Sequence, residues 1–186
     1  MTDPIRTITV NKNTINIFQD DQPWDPREWD NYSIMACFHN RYTLGDKHEY
    51  DHADFSSWDE LEAQIREDHD PVIILPLYLY DHSGISISTR SFIGRAQHAS
   101  WDSGQVGFVY TTRDQVELMQ GWKRITKARR EDLEKWVVSE VETYNQYLTG
   151  DVYGYQVQDE AGEDLGSCWG YFGIDNCIEE ARSIAA

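Results

Sequence analysis

Apolar and polar residues alternate through Ile5, Thr7 and Thr9 and again through Ile15 and Ile17, on either side of the turn formers Asn11-Lys12-Asn13, which predicts an opening hairpin. Residues 20–30 hold Pro23 and Pro26 and read as loop. A short apolar strand follows over 33–39. Ser57-Trp58-Asp59-Glu60 has the form of a capping box, and it opens a helix whose buried face carries Trp58, Leu61 and Ile65. Residues 72–80 are the most apolar segment, but Pro76 lacks a ladder donor, so this strand should lie at an edge or carry a bulge. After the turn Asp81-His82-Ser83-Gly84, Ile85, Ile87 and Thr89 resume the alternation, and residues 104–111 form another strand.

The longest helix falls over 126–148, with Leu133, Trp136, Val137, Glu140, Val141 and Tyr144 at helical spacing and Gly150 placed to cap its end. Strands over 151–157 and 165–172 flank the turn Asp159-Glu160-Ala161-Gly162, and a last short helix over 175–184 would be capped by Asp175. Strands outnumber helices and are joined mainly by turns. The pattern therefore predicts an α+β fold, a mostly antiparallel sheet with two or three helices, as one domain spanning residues 1–186.

Seven Trp, eleven Tyr and six Phe can fill a substantial core. No apolar run approaches the roughly 18 residues of a membrane span, and residues 1–10 lack a secretory pattern, so the expected location is the cytoplasm. Cys37, Cys168 and Cys177 are odd in number and have neither CxxC nor zinc spacing, which argues for reduced thiols. No cofactor is expected.

The net charge of −17 is the most unusual global property, since roughly 2 to 8 units keep a small domain soluble. It opposes direct binding of nucleic acid or an anionic membrane and suits a basic protein partner. The charge is uneven: residues 46–70 hold ten acids against two bases, and residues 151–180 hold eight acids and no base. A solvated or salt-adapted surface is the ordinary reading of such runs. The more specific one is mimicry of duplex phosphates by Asp46, Glu49, Asp51, Asp54, Asp59, Glu60, Asp159, Glu160, Glu163 and Asp164, directed at a protein built to hold nucleic acid.

Two catalytic constellations compete with that reading. His48-Glu49-Tyr50-Asp51-His52 satisfies H-E-x-x-H, in which a helix would aim His48 and His52 at a zinc ion with Glu49 as base, but polar residues flank it and the helix cap comes only at Ser57. A Cys/His site could instead join Cys168 to His82 and Asp102, with Asp81 and Trp101 beside them. Asp81, His82 and Ser83 cannot form a triad as consecutive residues, and their plain reading is a turn in which Asp81 and Ser83 bond the backbone and Gly84 takes a positive φ. A third possibility is a binder that sequesters a nucleotide signal by stacking on Tyr and Trp, with Arg90 and Arg95 meeting phosphate.

The strings LYLYDHSG (77–84), WDSGQVG (101–107), YLTGDVYGY (147–155) and SCWG (167–170) together resemble a family of uncharacterised acidic proteins encoded by phages and mobile elements, with the resemblance running from about Asp25 to Glu180. Small acidic phage proteins often interfere with host defence or transcription. The resemblance therefore implies an acidic effector that inhibits its target by binding, with a DNA mimic as the specific form and a small hydrolase or a nucleotide binder as the alternatives.

Overall fold

The computed structural model describes residues 3–186; Met1 and Thr2, which open the segment read for a secretory pattern, lie outside the described residues. The fold is α+β, with two four-stranded antiparallel sheets and, among the described residues, five α-helices. That exceeds the two or three expected. The chain divides into two compact units, one made of the residues up to Pro26 together with Gln146–Ala186, the other of Arg27–Asn145.

In the first unit, β1 (Arg6–Val10) and β2 (Asn13–Gln19) form the expected hairpin. Asn11 and Lys12 both take positive φ, the conformation a two-residue turn needs to match the twist of its strands. β7 (Val152–Gln158) and β8 (Asp164–Phe172) complete the order β1-β2-β7-β8. Ile15, Ile17, Tyr155 and Val157 point to one face, where α5 (Ile174–Ala185) lays down Cys177, Ile178, Ala181 and Ala185. That spacing is one helical stripe, and its alanines let the helix sit close to the sheet. Asp175 is not the cap: Gly173 holds that position with φ 82° and Asp175 lies in the first turn, where a carboxylate still favours the helix dipole. On the other face Trp169 lies over Gly154, where a Cβ would come within 2.2 Å of the indole.

The second unit has the sheet order β3-β6-β4-β5, from β3 (Ile34–Cys37), β4 (Ile73–Asp81), β5 (Ile85–Ser88) and β6 (Ser103–Thr111). Ala36, Phe108 and Tyr110 pack against Leu61 and Ile65 of α1 (Trp58–His69), whose N-cap is Ser57 as expected. β4 is an inner strand that tolerates Pro76 because β5 pairs only with Tyr78–Asp81, and a register shift follows between Leu77 and Tyr78. The pattern had not marked two helices, α2 (Ala99–Asp102) and α3 (Arg113–Gln120). α4 (Lys127–Thr149) buries Leu133, Val137, Val141 and Tyr144. A buried ion network ties its Glu140 to the chain start of the unit: Arg27, with 5% of its side chain exposed, pairs with Asp46 and faces Glu140 at 3.7 Å. Glu140 also accepts from the backbone N–H groups of Tyr32 and Ser33. No helix among the described residues is long and apolar enough to cross a membrane.

Candidate functional site

Antiparallel pairing of β4 with β6 sets Tyr80 opposite Ser103, so the turn after β4 meets the residues just before β6. This register brings His82 to Asp102, twenty positions away, with His82 Nδ1 2.8 Å from Asp102 Oδ2. His82 stacks on Tyr80, which stacks in turn on Phe92 and donates its hydroxyl to Gln97 O at 2.8 Å. Asp81 does not bond its own turn as expected. Its carboxylate receives Arg41, and Ser83 as well as Gly84 takes a positive φ. His39 stacks on Tyr42, and its Nδ1 accepts from the backbone N–H groups of Arg41 and Tyr42 at 3.3 Å each, which fixes the loop carrying Arg41.

Of these, His39, Arg41, Asp81 and Asp102 border a cleft of about 550 Å³ that also takes in Phe38, His52, Trp58, Trp101 and Gln105. Trp101 is 88% exposed, although large aromatic side chains ordinarily bury most of their surface. The cleft belongs wholly to the second unit.

The H-E-x-x-H segment is not helical. Residues 48–51 are irregular, and His52 opens a 3-10 turn, His52–Asp54, capped by Asp51 through Ala53 N–H at 2.9 Å. His48 Nε2 sits 3.0 Å from Cys37 O, and both imidazoles pack on Phe38. The zincin arrangement, two histidines one turn apart on a helix, is therefore not formed. Among the described residues no three His, Cys, Asp or Glu side chains are grouped to hold a metal. Burial, with Asp46 nearby, pushes the Cys37 thiol up to about 12, so it stays a neutral core group.

Cys168 lies on β8 in the first unit, which contains none of the six histidines, so the His82, Asp102 and Cys168 set is split between the units. Within its own unit Cys168 stands near Tyr171 and Cys177, helping burial to raise both. Arg90 shares a groove with Glu131, Glu134 and Lys135, so its charge is opposed there, and exposed Arg95 reaches back from Nη1 to Arg90 O and Ser91 O at 3.4 and 3.5 Å.

The acidic candidates differ in how freely they can meet a partner. Asp46 is tied to Arg27 and to Met35 N–H, so its carboxylate serves the second unit's own structure. Glu60 is exposed and accepts from the N–H and hydroxyl of Ser56, the hydrogen bonds that hold its carboxyl below the usual range. Asp51 caps the 3-10 turn, while Glu49, Asp54 and Asp59 are exposed. In the first unit Asp159 shapes the β7–β8 turn by accepting from Ala161 and Glu163 N–H, and exposed Glu160, Glu163 and Asp164 stand around it. Lys12 meets Glu160 at 2.9 Å.

Sequence reasoning missed Arg41, which no motif marks; its link to Asp81 arises only from the loop after β3. Compared with known protein families, curated proteins and solved structures, the chain has no match in any of the three.

Proposed function

We propose that this chain is a phage-type acidic effector that binds a basic, nucleic-acid-handling host protein and blocks it by offering carboxylates in place of phosphates. The observation that carries this reading is the β7–β8 turn, where Asp159, Glu160, Glu163 and Asp164 fall within six positions at one end of the four-stranded sheet, opposed among the described residues by Lys12. A turn anchored in a sheet presents its charges on an ordered backbone, which a phosphate-binding surface can read, whereas a flexible acidic tail would lose entropy on binding. Leu165 and Trp169 are exposed farther along β8 and give the same surface apolar anchors. The second unit adds Glu49, Asp51, Asp54 and Asp59 as separate exposed acids. The motif resemblance to proteins of phages and mobile elements supports a host protein as the target.

The test is displacement of a fluorescent DNA duplex from a panel of basic DNA-binding proteins. The effector should release duplex from at least one of them, less so as salt rises. The triple variant Glu160→Lys, Glu163→Lys, Asp164→Lys should lose about tenfold or more in potency, by the scale of charge contacts across an interface. Failure to displace duplex from any member, or undiminished potency of the triple variant, sinks the reading.

A further inference from the structure

The cleft of the second unit carries more detail than a general acidic surface. Its charged lining is Asp81, Asp102 and Arg41, which is net negative with the histidines neutral, inside a chain of charge −17. That balance disfavours phosphate-bearing ligands and favours cations. Asp102 is held by His82 through Oδ2, while its Oδ1 has no hydrogen-bond partner among the described residues and can accept from a ligand. Directly before it, the indole of Trp101 is left 88% exposed at the cleft. An exposed indole beside an oriented carboxylate fits a flat cation, one that stacks on the ring and donates N–H groups in its own plane. The 550 Å³ volume has room for a side chain with flanking peptide, within the roughly 300–1,000 Å³ of ligand sites.

We infer that this cleft receives an arginine side chain of the partner, with the guanidinium stacked on Trp101 and bonded to Asp102. The inference rests on the reading of the partner as a basic protein, and adds where one of its arginines is held. His82 is then a positioning residue: it holds the Asp102 carboxylate by Oδ2 and leaves the second oxygen to accept from the guanidinium.

The experiment follows the indole N–H signals of the ¹⁵N-labelled full chain during titration with acetyl-Gly-Arg-Gly-amide at constant ionic strength, Trp101 being assigned by its loss in Trp101→Phe. The Trp101 signal should move in a saturable way, with the exposed Trp24 and Trp169 signals still. The peptide with lysine in place of arginine should move it less, because an ammonium has neither the flat face nor the fork. Asp102→Asn, which still accepts from His82, should weaken the peptide by about tenfold. A silent Trp101, equal movement of all exposed indoles, an equal effect of the lysine peptide, or unchanged affinity in Asp102→Asn overturns the inference. Duplex displacement with a silent Trp101 would reject the arginine cleft alone. A Trp101 response without any displacement would reject the effector reading and leave the cleft standing.

Discussion

The unit built from residues up to Pro26 and Gln146–Ala186 is held by apolar contacts: a single helix, α5, lays a stripe of Cys, Ile and Ala on one face of its sheet. The unit built from Arg27–Asn145 also has an apolar core under α1, but adds a buried ion network and all six histidines. The difference separates two uses of charge. In the first unit the carboxylates around the β7–β8 turn stay at the rim, where exposure to water makes them cost little even though Asp159 accepts from the turn and Glu160 meets Lys12. In the second some are drawn inward, and there each needs a fixed cation or donor, as Asp46 and Glu140 need Arg27 and backbone N–H groups.

Removing Arg27 should break this contrast most strongly. Arg27→Ala leaves Asp46 and Glu140 without their cation, and losing one side of a buried pair costs about 3–5 kcal/mol. Urea unfolding should register that loss, and hydrogen exchange should place it in β3 and β6 while β7 amides keep their protection. Equal loss in β7 would mean that the two units do not open separately.

A pair of glycines sharpens the same comparison. At Gly107, with φ 158°, a Cβ would come within 1.9 Å of Ala36 O, a strand backbone that cannot turn aside. At Gly154 it would meet the Trp169 ring at 2.2 Å, but that side chain is 51% exposed and has solvent to swing into. Gly107→Ala should therefore cost about 3 kcal/mol or more and Gly154→Ala about 1, by the usual scale of overpacking. Thermal unfolding of the two variants decides it, and a costlier Gly154→Ala would show that Trp169 is fixed on the sheet.

The sequence carried all eight strands and the three longest helices, α1, α4 and α5, because their apolar patterns are regular. α3 escaped because Leu118, on its apparent apolar pattern, is exposed, although Thr112 and Gln115 form a capping box that could have been read. Pro76 was rightly seen as an irregularity, but that it sits on an inner strand depends on how short β5 is. The cap lies two residues before Asp175 because a glycine can begin a helix without any side-chain bond. The cleft was legible only as residue types. His82 and Asp102 meet through a register containing a shift after Leu77, and Arg41 arrives from a loop; neither leaves a period in the chain. Whether a carboxylate is free or internally paired, the point that divides Asp46 from Glu163, is likewise settled by tertiary neighbours.

The smallest expected effect concerns the thiols. Burial raises Cys37 in the second unit to about 12 and Cys177 in the first to about 11, against 9 for the free group. Each folded thiol therefore keeps its proton where the unfolded one begins to lose it, and stability must fall as pH rises from 9 toward those values. Between pH 7.5 and 9.5 each thiol removes about 0.8 kcal/mol by linkage, and Tyr50, Tyr110, Tyr153 and Tyr171, all raised by burial, add a smaller loss in the same direction. Cys37→Ala should be less stable at neutral pH because of the space it leaves, yet its pH slope should be about two-thirds that of the parent, as should that of Cys177→Ala. Urea midpoints across that window measure both slopes. An unchanged slope in Cys37→Ala alone would mean that its thiol reaches water in the folded state, placing the more open core in the unit that holds the ion network.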